Sequence, residues 1–471
     1  MMEENRAKSL AALTAPLPED IEKLKWHGDF NRALRLIEAR LKKDLPEMLK
    51  ERLRLEREII SRLPLQYPYT TEQAMEIAVE KVGEFTAEEL EALIDDNAID
   101  WMFIEGERRI KDDFFDNLVK TREDIRDRVY DKSLLEDGIQ EGILRDKTVK
   151  KMKESGGLAC YFHIRTTMKL REDAVEQGKK IRVYLPIPLE YSQVRNFRLL
   201  YTSMEPLCIA PPLWPQRTVC FEAEAGKDHC FSIEYEFENH MPYIALDKSY
   251  AGGGKADGEK THPDKSRLKD WLGEQLPQIR FTPFLKSLAV EITGEETNLL
   301  RKAKLIYDYI TSHVNYSFVR SYFTITDIPG YAASGQKGDC GIQALLFITL
   351  CRIAGIPARW QAGLYASPRD IGCHDWAQFY IEPYGWLYAD CSFGGGAYRD
   401  GKEERREFYF GNLDPFRIPM NSEFGWQFMP PMRWHGSDPY DNQMGEAEYE
   451  DRALVYGEFE TLQEIVEIRE L

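Results

Sequence analysis

Hydrophobic positions along this chain follow three rhythms. Up to about residue 155, apolar side chains recur at helical spacing within dense charge, in Leu36 to Leu63 and again in Ile99 to Val129. Thr86-Ala-Glu-Glu89 has the form of a capping box with Phe85 and Leu90 as its hydrophobic staple, and Thr70 with Gln73 repeats the box. From about 156 to 250 the rhythm shortens to alternation, in Ile181, Val183 and Leu185, then Val219, Phe221 and Ala223, then Ile233, Tyr235 and Phe237. The last two sets flank Ala225 to Asp228, where Gly226 signals a hairpin, so this stretch predicts a β module of sandwich type. The third rhythm, Asp339 to Pro357, has almost no polar face. Asp339 can cap its start, Gly355 suits the left-handed closing turn, and Pro357 prevents continuation. A helix apolar on all sides is buried. This one is too short, and too interrupted by Gln343 and Arg352, to cross a membrane.

Around that helix the pattern predicts a unit over about 265–445. Thr293-Gly-Glu-Glu296 reads as the start of a helix whose Leu299, Ala303, Ile306 and Ile310 share one face. Ala358 to Ala366 reads as a strand, followed by a hairpin of His374 to Ile381 and Trp386 to Ser392. Gly394 to Gly396 read as a flexible exit, and the aromatic remainder, with Phe424, Trp426, Phe428 and Trp434, as a wrap over the core. Residues 251–266, rich in Gly and Lys, read as a mobile connector, with a lid as the alternative. Residues 446–471 are expected to form a helical tail, amphipathic and acidic near Leu462 to Leu471.

Composition narrows the classes. A chain of 471 residues, 43% hydrophobic, is long enough for two or three domains. Its net charge of −18 argues against nucleic acid or an anionic membrane as partner. The eight cysteines include no Cys-x-x-Cys pair, so neither a zinc ribbon nor a dithiol redox motif is supported, and no metal or cofactor is expected. His229 and Cys230, lacking further ligand types at metal spacing, read as loop residues. The first residues carry acids early and no sustained apolar run, which with the unpaired cysteine pattern predicts a cytoplasmic protein. Residues 1–155 read as a solvated helical scaffold or an arm for homo-oligomer formation, with a specific partner-binding surface as the alternative.

The candidate chemistry begins at Cys340, the first residue of the apolar helix, where the backbone dipole and free N–H groups favour a thiolate. A cysteine nucleophile needs a base and a third group that holds the base in one tautomer. His374 and Asp390 lie on the two arms of one hairpin. Pairing Ile381 with Leu387 across a five-residue loop, or a bulge of equal parity, puts Ala377, Phe379, Ile381, Leu387 and Ala389 on one apolar face. His374, Trp376, Tyr380, Tyr388 and Asp390 then share the other. Asp375 could replace Asp390 as the orienting group but points off the His374 face, and Asp339 reads as a cap whose charge opposes thiolate formation. Cys351, Cys373, Cys391 and His435 read as structural.

The segments 338–360 and 374–392, with the helix preceding Tyr316, resemble the transglutaminase-like superfamily over about 270–400. That resemblance implies an α+β fold: a papain-like core with a central helix on an antiparallel sheet, preceded here by the β-sandwich module and the N-terminal helical region. It implies Cys340 as nucleophile, His374 as general base and acid, and Asp390 as orienting carboxylate. It also implies attack on a peptide or protein amide through a thioester, with the backbone N–H of Cys340 as one oxyanion donor and Tyr316 or Trp360 as candidates for a second. Hydrolysis is the first expectation, acyl transfer to an amine the second, and a non-catalytic scaffold the third. Specificity is expected from the loops at 251–266, 317–337 and 394–434.

Overall fold

The computed structural model describes residues 10–191, 193–226, 230–246 and 265–471; the proposed 251–266 lid and His229 lie outside them, apart from residues 265 and 266, which open a short 3₁₀ turn. Three bodies of secondary structure follow in order. The first is helical, from Glu19–Trp26 to the long helix Ser133–Ser155, and includes a small sheet of Tyr69–Thr70, Trp101–Ile104 and Glu107–Ile110. Thr70 and Gln73 close the reciprocal capping box before Thr71–Val82, and Thr86 caps Ala87–Asp95. Phe85 and Leu90 are buried beside that cap. No helix among the described residues is long and apolar enough to cross a membrane.

The second body is two four-stranded sheets face to face. One orders Phe459–Glu470, Gly157–Leu170, Cys230–Pro242 and Val194–Thr202; the other orders Glu446–Tyr449, Lys180–Pro186, Thr218–Glu224 and Cys208–Ile209. Two expectations are corrected here. Thr218–Glu224 and Cys230–Pro242 are not a hairpin, because each pairs with two other strands of its own sheet and the connection crosses between layers. Residues 446–471 are not a helical tail: they return to the sandwich as one strand in each sheet. A register shift between Ile465 and Glu467 moves the inward parity from Phe459, Gln463 and Ile465 to Ile468. That break in alternation spaces the apolar residues like a helix.

The third body holds the cysteine helix, Cys340–Ile353, against a five-stranded sheet ordered Phe410–Gly411, Gly385–Ala389, Ile371–Ile381, Ala358–Ala366 and Arg417–Asn421. Asp339 caps the helix by accepting the Ile342 N–H at 3.1 Å, and Gly355 turns out of it at φ +85°. Ile342, Leu345, Leu346, Phe347, Ile348 and Leu350 are fully sealed from solvent, each contributing about 1.5–3 kcal/mol relative to exposure. The two polar interruptions find donor partners, although Gln343 Oε1 stays unpaired: Gln343 donates to the Gly338 carbonyl at 3.0 Å, and Arg352 to those of Ala358 and Gly273 at 2.8 and 2.9 Å. Thr293 ends the helix Pro283–Thr293, and it is Asn298 that caps the next one, Leu299–His313. Gly394 to Gly396 lie inside a helix, Cys391–Arg399, not in a flexible exit. A Cβ at Gly394 would fall 1.9 Å from the Tyr307 hydroxyl, so glycine there admits the close approach of two helices.

Candidate functional site

The hairpin pairs Ile381 with Gly385 and Phe379 with Leu387, a loop two residues shorter than expected but of the same parity. Ala377, Phe379, Ile381, Leu387 and Ala389 accordingly join the core under the cysteine helix, while Trp376 and Tyr388 pack on the opposite face. His374 lies on that opposite face, its ring 4.6 Å from Phe393 and 5.9 Å from Trp376. Asp390 follows the last residue of the second arm and caps Cys391–Arg399 through Oδ1, which accepts the Phe393 N–H at 3.0 Å.

Asp390 Oδ2 takes two further donors, His374 Nε2 at 2.8 Å and Arg417 Nη2 at 2.9 Å. Arg417 also donates to Asp414 Oδ2 at 2.5 Å and lies 3.9 Å over the Phe393 ring. His374, Asp390, Asp414 and Arg417 are all buried. Burial would push the Asp390 carboxyl up, but its hydrogen-bonded contact with His374 and the charge of Arg417 hold it well below the usual carboxylate range. Burial pushes the His374 imidazole down, against the pull of Asp390. The pair is therefore an ionised carboxylate and a neutral imidazole. An ionised carboxylate only accepts, so Nε2 carries the hydrogen and Nδ1 keeps its lone pair.

Cys340 stands at the edge of the same strand. Beyond Ala389 the neighbouring strand has ended, and the Asp375 backbone N–H is aimed at the Cys340 sulfur. Residues 374 and 375 leave that edge in opposite directions. The thiol donates to Asp375 Oδ2 at 3.4 Å, and among the described residues no hydrogen bond joins it to His374. Tyr322 donates to Asp339 at 2.5 Å and lies 3.5 Å from Asp375. Gly341 permits this crowding, since a Cβ there would sit 2.3 Å from the Tyr322 hydroxyl and 2.6 Å from Asp375 Oδ2.

The thiol is not lowered as its place at a helix start suggested. Burial first, then the charges of Asp375 and Asp339, push it well above its ordinary value. Asp375 accepts from Gln443 at 2.6 Å and shares a hydrogen bond with the Asp441 carboxyl. Two carboxyls in contact hold one proton between them, and burial raises both. Asp339 is raised by burial to about 6 and Glu446 to about 8.

Of the residues expected at the site, the structure joins His374 to Asp390 and puts Cys340 on the adjoining residue. Tyr316 lies within electrostatic reach of Cys340. Trp360 is sealed in the core against Phe424 and is not a candidate donor. Arg417, Asp441 and Tyr322 had no signal in the sequence: each acts across a long separation with no motif around it. Among the described residues, no group of three or more His, Cys, Asp or Glu side chains is placed to hold a metal ion.

Comparison with known proteins adds a family. Two bacterial relatives align over short stretches: an uncharacterized protein of Haemophilus influenzae, 27% identical over 137 residues, and the uncharacterized protein YebA of Bacillus subtilis, 24% identical over 122. These alignments span 24% and 22% of this chain, and 37% and 16% of the relatives' own lengths. Among solved structures, a candidate cysteine protease from Cytophaga hutchinsonii superposes with a TM-score of 0.40 at 15% identity, covering 67% of this chain and 91% of that one. The periplasmic domain of TgpA from Pseudomonas aeruginosa gives 0.29 at 12% identity, covering 55% and 96%. Residues 286–391 match the model of the transglutaminase-like superfamily, and over that stretch the chain carries a domain of this family.

Proposed function

We propose that the chain is a cysteine-dependent hydrolase of peptide or amide bonds, working through a thioester on Cys340 with His374 and Asp390. The observation that carries this reading is the buried His374–Asp390 hydrogen bond, backed by Arg417, beside the N-terminus of the cysteine helix. This reading requires the Cys340 side chain to turn from Asp375, its present partner, toward the free Nδ1. The proton passes to Nδ1 as the sulfur bonds to the carbonyl carbon, and the carbonyl oxygen becomes an oxyanion facing the Cys340 backbone N–H. Tyr316 is the candidate second donor. Collapse breaks the C–N bond, and His374 returns its proton to the departing amine. Water then attacks the thioester, giving a proton to His374, and departure of the acid restores the thiol. An amine in place of that water would make the reaction acyl transfer. All eight cysteines are free, which supports a reducing compartment, the cytoplasm.

A second reading, a scaffold that keeps the fold without turnover, is favoured by one observation: the thiol bonded to Asp375 and held protonated. A peptide library screened with wild type and Cys340→Ala in parallel separates the two. The hydrolase reading expects cleavage by the wild type alone, and no acceleration by added amines. Equal cleavage by Cys340→Ala removes Cys340 from the chemistry, and no cleavage by either protein leaves the scaffold.

A further inference from the structure

Helix Phe114–Thr121 of the N-terminal region docks directly on the segment leading to Cys340. Asn117 accepts the Phe318 N–H at 2.8 Å and donates to the Ala98 carbonyl at 3.0 Å. This holds the helix against Asn315–Tyr316, which pairs in parallel with Lys337–Gly338 just before Asp339. Lys120, further along the helix, places its ammonium 3.4 Å from the Tyr316 hydroxyl, 4.6 Å over that ring and 5.1 Å over Phe318. It feels the charges of Cys340, Asp339, Asp370 and Arg145. Arg399, from the helix that Asp390 caps, lies within reach of Tyr316, Asp400 and Arg126. Arg145 stands 5.1 Å over Phe393, the ring that covers His374.

Lys120 and Arg399 thus lie within reach of Tyr316, Arg145 covers Phe393 and Arg126 is near Arg399, and among the described residues none of the four forms an ion pair. Of the acids in reach, Asp400 is engaged by Arg405 at 2.5 Å, and Asp339 by Tyr322 and the helix amide. Asp370 lies within electrostatic reach of Lys120 without an ion pair among the described residues. These unpaired cations stand against a net charge of −18 for the chain. A local field of one sign in a cleft concentrates ligands of the other sign.

We propose that Lys120, Arg126, Arg145 and Arg399 bind the carboxylates of an acidic peptide and are specificity residues of the site, a role resting on the hydrolase reading only for turnover. Guanidinium groups pair with carboxylates in two parallel hydrogen bonds, and the ammonium of Lys120, which lies over two aromatic rings, gains a counter-charge. Asp375, Asp438 and Asp441, whose carboxyls burial raises toward the neutral form, offer that peptide no such attraction. A nucleic acid fits less well, since its longer run of charge would extend past these cations onto a chain of net charge −18.

The test is fluorescence anisotropy of the full chain carrying Cys340→Ala, with labelled peptides that differ only in Glu, Gln or Lys at the flanking positions, and a single-stranded DNA of equal length. The acidic peptide should bind at least about tenfold more tightly than its Gln counterpart, about 1.4 kcal/mol, and lose that margin at high salt. Arg126→Glu with Arg399→Glu should abolish the margin while turnover of a small uncharged ester is retained. Should that pair misfold, Arg126→Gln with Arg399→Gln and the salt series on the unaltered cations decide the matter. Equal binding of the Glu and Gln peptides overturns the proposal, as does tighter binding of the DNA. Acidic peptides that bind to a chain without turnover would end the hydrolase reading alone; ester turnover without acidic preference would end this one alone.

Discussion

Asp390 and Asp375 are two carboxyls on one sheet, 0% and 5% exposed, yet they end in opposite states. Asp390 is ionised and Asp375 is raised toward protonation. Burial pushes both the same way, so burial does not separate them. The difference is the company each keeps. Asp390 has Arg417 and His374, whereas Asp375 has Asp441, Asp339 and a thiol. One half of the site is built around a fixed negative charge held between an imidazole and a guanidinium. The other is a crowded acidic pocket that keeps a sulfur protonated until something displaces it.

The largest expected effect comes from removing the fixed charge while keeping its shape. Asp390→Asn would donate to Nε2 and move the imidazole hydrogen to Nδ1, the atom the thiol needs. Peptidase kcat should fall by roughly 10⁴, as expected for a wrong tautomer, and His374→Ala by about 10²–10⁴ from lost acid–base catalysis. Steady-state kinetics on a cleaved library peptide measures both. Next is the cation itself. Arg417→Met leaves Asp390 and Asp414 buried without it and should cost about 3–5 kcal/mol in urea unfolding.

The acidic half predicts a smaller effect with the opposite dependence on pH. Asp339 and Glu446 titrate at about 6 and 8, above their unfolded values near 4. Between those limits these two carboxyls bind more protons in the folded chain than in the unfolded one, so their contribution to stability falls as pH rises from about 5 to 8. Thermal unfolding across that range should show Tm declining, with a shallower decline in Asp441→Asn. Asp390 acts elsewhere: its contribution is present above the unfolded value and is lost only as pH falls below the ordinary carboxylate range. The smallest effect should be a severalfold faster alkylation of Cys340 by iodoacetamide at pH 8 in Asp375→Asn, because a negative charge beside the thiol is removed. Slower alkylation in that variant would contradict the assignment.

The sequence made some of this legible and left the rest hidden for physical reasons. The cysteine helix announced itself through Asp339, Gly355 and an apolar run, which are local signals and were met. The parity of the hairpin followed from burial of Ala377, Phe379 and Leu387, although the loop closes at Gly385 rather than after five residues. The C-terminal strand Phe459–Glu470 was hidden by the register shift after Ile465, which gives a strand the spacing of a helix. Arg417 was hidden because nothing near it distinguishes a buried arginine from a surface one; its partners lie on other strands and loops. The depressed thiol expected of Cys340 failed because the position at a helix start was judged without Asp375, whose side chain only the fold brings to the sulfur.

The central claim is that the Cys340 sulfur forms the covalent intermediate with His374 as its base. The most direct measurement is intact-mass and peptide-mapping analysis of the chain mixed with an activated acyl ester and quenched in acid within milliseconds to seconds. The account predicts one acyl group, on Cys340, forming rapidly in the wild type and far more slowly in His374→Ala. An adduct spread over the other cysteines, or one that forms on Cys340 equally fast without the imidazole, would contradict it.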